Sequence, residues 1–292
     1  MRQILLIPHI KVHNANAQSS PYTIGFPAMT AWLGGVHALQ RRLNQNSFEN
    51  ALFKNAAVVC HEINLEKYRG EGDFYYSIIG TRNPLKDDGK SPSFIEEARC
   101  HLDVSLVIEF EGIKDEQEEE KRAIVQIKNA LYGKMKLASG DILSFGNPEI
   151  IKIIQEKDFN KLKRKVMPGY LLIERRNLMI KAMKEEGKDA VDALLDYLKI
   201  MHRSEKDEEG KVTWTAKRKE SGWIVPIAVG FHGLTELGKA KNQRDPDTPH
   251  RFAESVVTLG EFVMPYRIKN LDEMLWHYHV DIENNLYLCQ QN

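Results

Sequence analysis

Residues 2–43 constrain this chain more than any other stretch. A continuous apolar run from Ile4 to Ile10, bounded by polar residues, reads as a buried strand. It flows into His13-Asn14-Ala15-Asn16-Ala17-Gln18-Ser19-Ser20, which is rich in hydrogen-bonding groups, almost free of charge and expected to be a loop. Two turn signals follow, Ser20-Pro21 and Gly25-Phe26-Pro27, and then a helix marked by Trp32, Val36, Leu39 and Leu43. The amides and hydroxyls of Asn14, Asn16, Ser19 and Ser20 suit base edges, and the pair Arg41-Arg42 suits phosphate. Nucleic acid is therefore the first partner to consider. The competing reading of the polar stretch is a turn whose Asn and Ser side chains cap their own backbone.

Further along, strands are expected at Ala56–Cys60, continuing toward Ile63 and Leu65, at Phe74–Ile79 and at Val104–Ile108. Residues 81–98, with Pro84, Gly89 and Pro92, read as a long loop or protruding hairpin. The acidic block 115–120 opens a helix whose buried face is Ile124, Ile127 and Leu131, with its carboxylates favoured by the helix dipole. Leu137–Leu143 reads as one more strand with a Gly turn or bulge. The order strand, helix, strands, helix, strand is the ferredoxin-like β-α-β-β-α-β plan. A largely helical insertion is expected over 147–211. It holds a helix through Ile150, Ile151, Ile153 and Ile154 and a stripe of Val191, Leu194, Leu195, Leu198 and Met201, and it ends in a polar linker from Ser204. Residues 1–146 and 212–292 then form the core, with strand signals at Val212–Thr215 and Ile224–Val229 and a last helix over 249–262.

The 42% hydrophobic and 28% charged content is that of an ordinary globular chain, and no apolar stretch reaches the ~18–20 residues of a membrane span. Met1-Arg2-Gln3 and a short apolar strand, without a small-residue cleavage site, predict no secretory signal and a cytoplasmic location. Cys60, Cys100 and Cys289 are scattered and read as reduced core residues. The balance of 41 basic and 41 acidic residues argues against a protein that binds RNA by charge alone, although residues 157–188 hold ten Lys/Arg against four Asp/Glu.

Other candidates are weaker. Arg82-Asn83, stiffened by Pro84, would be presented at a loop base, and Lys241, Arg244, Arg251 and Arg267 surround a Pro-rich turn where Asp245 and Asp247 partly neutralise them. The basic run Lys161–Lys165 is either a solvated helix face or a duplex contact. Gly34-Gly35 within the first helix admits close approach of a phosphate or of a packed strand equally well. His37 could serve as a general base toward a ribose 2′-hydroxyl, but no partner acid accompanies it. His277-Tyr278-His279 lacks the partners of a metal site, and nucleotide-binding and nucleophile-elbow motifs are absent, so no cofactor or metal is expected.

The blocks HNANAQSSPYTIGFP, GGVHALQRR, TRNPL, ARCHLDVSLVI, GWIVPI and RDPDTPHRFAESVVTLGEFVMPYR run nearly the whole chain in one order. This pattern resembles the second-subunit family of the type I-F CRISPR (Csy) surveillance complex, within the RAMP superfamily. The resemblance implies an RRM-like core. It also implies a non-catalytic role: binding the five-prime handle of the CRISPR RNA with the large subunit, beside the backbone-subunit filament, in support of target DNA recognition. Under it, Asn14, Asn16, Ser19, Ser20, Arg41, Arg42, Arg82, Asn83, Lys241, Arg244 and Arg251 are the RNA-binding candidates. The alternatives are a RAMP-type endoribonuclease acting through His37, or an interaction scaffold that reads no RNA.

Overall fold

The computed structural model describes residues 1–79, 85–91, 97–133, 135–206, 210–243 and 245–291. Strands β1 (Arg2–Asn16), β2 (Gln18–Ser20) and β3 (Thr23–Ile24) lead into helix α1 (Met29–Gln45). Strands β4 (Leu52–Leu65), β5 (Lys67–Tyr68), β6 (Ser77–Ile78) and β7 (Arg99–Glu111) precede α2 (Gln117–Gly133). A hairpin of β8 (Lys136–Leu137) and β9 (Gly140–Ser144) is followed by β10 (Glu149–Ile153), α3 (Glu156–Lys165) and β11 (Tyr170–Glu174). Helices α4 (Arg176–Glu186) and α5 (Ala190–Leu198) come next, then β12 (Met201–Lys206), β13 (Val212–Lys217), β14 (Trp223–Gly233) and β15 (Ala253–Val263). The chain closes with β16 (His277–Asp281) and β17 (Leu286–Gln290).

The fold is α+β, built on one large antiparallel sheet in the order β16-β17-β14-β15-β11-β4-β7-β1-β9-β8, with β10 also paired to β1. Alternation along β7 explains the layering. Cys100, Leu102, Val104, Leu106, Ile108 and Phe110 point to the face carrying α1 and α2, which bury Trp32, Val36, Leu39, Leu43, Ile127 and Leu131 there. Val107 points to the opposite face, where Phe159 and Leu162 of α3 cover Ile4, Leu6 and Val59. A third cluster forms where α4 and α5 lie on β14 and β15, around Met179, Tyr197, Ile224 and Leu259. All three cysteines are buried, and burial pushes each thiol up to about 12.

Five expectations are corrected. Ile150–Ile153 forms β10, because a β-branched run with the free edge of β1 beside it pairs at Leu5↔Ile150 and Ile4↔Ile151. Ala253–Val263 is strand β15, held on both sides by β14 and β11, where a helix is expected from sequence. The stretch 147–211 therefore contributes β10 and β11 to the main sheet as well as three helices. The α5 stripe is rotated: Ala193 and Tyr197 are buried, whereas Val191 and Leu195 are exposed. Of Phe74–Ile79 only Ser77–Ile78 is strand.

The two halves of the sheet meet at a short ladder, Tyr170↔Cys60 and Leu171↔Val59. Trp276, fully buried, secures that junction: its backbone pairs with Ala56 at 2.8 and 2.9 Å, and its indole N–H donates to the Leu172 carbonyl at 2.8 Å. At the start of β1 the Arg2 guanidinium clamps Glu109 through two hydrogen bonds of 2.6 and 2.9 Å, and Asn55 adds a third at 2.6 Å. Burial alone would raise the Glu109 pKa, but these donors outweigh it and hold the carboxyl below its ordinary 4.5.

Trp276→Ala is expected to remove about 3–5 kcal/mol of unfolding free energy in urea titration, whereas Trp214→Ala on the exposed β13 should change it by less than about 0.5 kcal/mol. A depressed carboxylate pKa adds stability that is complete above the unfolded value and is lost as pH falls through the folded value. The stability difference between wild type and Glu109→Gln should therefore be constant at neutral pH and shrink below about pH 4.5 in acid-limb melts.

Candidate nucleic-acid interface

The polar stretch expected as a loop is instead the end of β1 and the β2–β3 ribbon. The pairing of β1 with β7 slips between Val12 and Ala15, and Asn14 occupies that bulge at φ 57°, a region Asn tolerates better than most residues. Asn14 and Asn16 are exposed. Asn16 accepts from the Gln18 N–H at 3.0 Å, the local cap that the competing reading predicts. Ser20 is buried, its hydroxyl 2.6 Å from that of Thr23, while Ser19 meets the same Thr23 hydroxyl at 2.9 Å. The two serines thus serve the ribbon, and Asn14 and Asn16 are the members of the set that face solvent.

Arg41 is exposed and Arg42 half-buried in the last turn of α1. At 1.5 Å per residue they lie about 18 Å along the helix from the end that the ribbon feeds, so the amides and the Arg pair are not brought to one spot. Arg82, Asn83 and Arg244 lie outside the described residues. Lys241 is exposed on the 234–252 excursion, whose arms are joined at Gly238↔His250. Arg251 is half-buried and committed to Asn285, donating to its side-chain oxygen at 2.6 Å.

Three groupings take shape only in the structure, one of them on the basic run Lys161–Lys165 noted above. Between β4 and β7, the β5–β6 ribbon displays Tyr68, Phe74, Tyr75 and Tyr76 with 58–89% of each residue in solvent. The Lys67 ammonium sits 4.4 Å from the Tyr76 ring centre and the Arg69 guanidinium 5.7 Å from it. Lys157, Lys161 and Arg164 form a basic face on α3, whereas Lys163 turns inward to the Ile268 carbonyl at 3.1 Å. His37 borders a cavity of about 200 Å³ together with Gln40, Lys54, Asn55 and His277. Burial, reinforced by His279, holds the His277 imidazole below its ordinary pKa. The signal for the aromatic ribbon was present as the run Phe74-Tyr75-Tyr76, but strand propensity absorbed it.

Comparison with known proteins places this α+β chain among the CRISPR-associated proteins: a family model described as CRISPR-associated protein (Cas_Csy2) matches residues 5–289. Over 312 aligned residues the chain is 33% identical to the CRISPR-associated protein Csy2 of Pseudomonas aeruginosa (strain UCBPP-PA14), with 97% of this chain and 94% of that protein covered. The chain belongs to the Csy2 family, the second subunits of type I-F Csy complexes. Among the described residues no helix is long and apolar enough to cross a membrane.

The two glycines of α1 separate in the structure. A Cβ on Gly35 would lie 2.5 Å from a methyl of the buried Leu137, so this glycine lets α1 approach the β8–β9 hairpin; a Cβ on Gly34 would meet nothing within 4 Å. Gly34→Ala should stabilise the protein by about 0.5–1 kcal/mol in chemical denaturation. Gly35→Ala should return less than that or destabilise, because Leu137 must move. A larger gain at Gly35 than at Gly34 would refute the packing assignment.

Proposed function

We propose that this chain binds CRISPR RNA as a non-catalytic subunit of a type I-F Cascade, holding the five-prime handle together with the large subunit and abutting the backbone filament. The observation that carries the RNA-binding part is the β5–β6 ribbon. Exposed Tyr68, Phe74, Tyr75 and Tyr76 beside Lys67 and Arg69 combine stacking surfaces with cations, as single-strand binding requires. Exposed aromatics without such a task are an aggregation hazard, which gives their placement on a projecting ribbon a functional reason. Asn14 and Asn16 would read bases and backbone near it, with Arg82 and Asn83 as further candidates, and Lys157, Lys161 and Arg164 would meet phosphates of the target duplex.

The order β9-β1-β7-β4, fully antiparallel and with α1 and α2 together on one face, supports reading the core as the RRM-like unit of the RAMP superfamily. A net charge of zero fits a subunit that shares its RNA with neighbours. The endoribonuclease alternative draws on one observation, the meeting of His37 and His277 at a common cavity.

The test is co-purification with the large subunit and CRISPR RNA. Wild type is compared with Phe74→Ala/Tyr75→Ala/Tyr76→Ala and with Asn14→Ala/Asn16→Ala/Arg82→Ala, on RNA with the native or a scrambled handle. Handle-dependent RNA retention that both variants lose, with the RNA intact, is the expected result. Retention indifferent to the handle and to both variants would make the protein a scaffold. Cleavage abolished by His37→Ala would establish the nuclease reading instead.

A further inference from the structure

On the sheet face opposite α1 and α2, the cover supplied by α3 ends near Val107. The strand positions beyond it are polar: Ser105, Asp103 and His101 on β7, His61 on β4, and His9, Lys11 and His13 on β1. Two bulges bring three of these together. The pairing of β1 with β7 slips between Ile7 and Ile10, and that of β4 with β7 slips between Cys60 and Glu62. Each extra residue is a histidine or adjoins one, and His9 takes the bulge at φ 49°, in the left-handed region where His, like Asn and Asp, is over-represented among non-glycine residues. The consequence is that one ligand atom from each of His9, His61 and Asp103 lies within 4.8 Å of the others, and the two imidazole rings stack with centres 4.2 Å apart.

The hydrogen bonds determine which atoms are available. His61 Nδ1 lies 2.6 Å from the Pro168 carbonyl, which can only accept, so Nδ1 carries the proton and Nε2 presents its lone pair. That lone pair accepts from the Ser105 hydroxyl at 2.7 Å, a bond an entering cation would displace, and the same hydroxyl accepts the His9 backbone N–H at 3.0 Å. An imidazole fixed by a backbone carbonyl on its far nitrogen is the arrangement that orients metal-ligating histidines. His9 Nδ1 and Asp103 Oδ1 are 3.1 Å apart, close to the ~3.3 Å edge of a tetrahedron with zinc–ligand bonds of about 2.0 Å. A cation entering there would replace the proton these two atoms share.

We propose that His9, His61 and Asp103 form a divalent transition-metal site, of the zinc class, with two imidazole nitrogens and one carboxylate oxygen as ligands. The fourth position lies toward the Ser105 hydroxyl or solvent. His9 is exposed and supplies both the entry path and the freedom to close the remaining distance, while His61 and Asp103 are half-buried and fixed by neighbouring strands. Because the three ligands come from β1, β4 and β7, a bound ion would pin the centre of the sheet. This site is independent of the RNA-binding reading.

The test uses the full chain without an affinity tag, stripped with chelator and titrated with Zn²⁺ by calorimetry and by competition with a colorimetric chelator. One ion per chain is expected, with visible d–d bands of a four-coordinate N/O site when Co²⁺ is substituted. His9→Asn, which preserves the residue's tolerance of positive φ, and Asp103→Asn should each weaken binding by roughly tenfold or more, the loss that even an outer-shell partner can produce. Far-ultraviolet circular dichroism and the melting temperature of both metal-free variants report whether they remain folded. His101→Ala, which alters the neighbouring His13–His101 stack, and His279→Ala, which alters the other histidine pair, should leave affinity unchanged. The proposal is overturned by the absence of saturable binding, by undiminished binding in a folded His9→Asn variant, or by a loss that follows His101 or His279.

Discussion

The structure depends on a junction two residue pairs long. On one side β4, β7, β1 and β9 form a sheet with its own helices; on the other β11, β15, β14 and β17 form a second one, and β4 meets β11 only at Tyr170↔Cys60 and Leu171↔Val59. Two ladder pairs cannot hold two such bodies in register by hydrogen bonding alone, since each bond contributes only about 1 kcal/mol net. Packing across the seam supplies the rest: α1 lies on β14 as well as on β4, Phe26 meets Phe262 edge-on at 5.3 Å, and at the junction itself sits Trp276. Its ring fills the core, its backbone extends the edge of β4 through Ala56, and its indole satisfies the Leu172 carbonyl on β11. A phenylalanine would match much of the packing but leave that buried carbonyl unpaired, so the position requires a large ring with a donor.

Bulges do the corresponding work on the other side of the junction. A strand as long as β1 would drift out of phase with its apolar face once a single extra residue intervened. Here the slips at Ile7/Ile10 and Val12/Ala15 restore the phase, so that Leu5, Ile7, Ile10, Val12 and Ala15 all face α1 and α2. The residues displaced by these corrections, His9, His13 and Asn14, emerge exposed on polar surface. The same geometric device that keeps the core continuous thus assembles the histidine-lined face and presents Asn14.

How much of this was legible follows from the length and periodicity of each segment. The stripe Trp32, Val36, Leu39, Leu43 lies on a 17-residue helix and could be read with its face correct. Val104–Ile108 and Ala56–Cys60 carry β-branched residues at strand length and were equally clear. Ile150–Ile153 and the 249–262 segment read as helices because short apolar runs fit either period, and the deciding facts, the edge of β1 and the gap between β14 and β11, lie far away in sequence. The site divided in the same way. The amides of Asn14 and Asn16 stand out in sequence and are exposed, yet the burial of Ser20 and the commitment of Arg251 to Asn285 exist only in three dimensions. The grouping of His9, His61 and Asp103 had no local signal, since each lies on a different strand.

A neutral chain can carry nucleic acid only if its charges are sorted, and this fold sorts them by element. Several acidic residues are engaged by lysines or sit at a helix start: Asp196 gathers Lys188, Lys199 and Lys219 around itself, and Glu118–Glu120 sit in the first turn of α2. Glu149 engages Lys165, and Asp115 and Glu120 engage Lys152. Among the cations outside these pairs are Lys157, Lys161 and Arg164 of α3 and Lys67 and Arg69 of the β5–β6 ribbon. Screening shortens the reach of such patches to about 8–10 Å at physiological salt, so each acts on a ligand already held close by. A protein of this design adds little to long-range attraction. Under the proposed RNA-binding role, such a chain would fit an assembly in which other subunits deliver the RNA and this chain supplies stacking surfaces and local phosphate contacts once the strand has arrived.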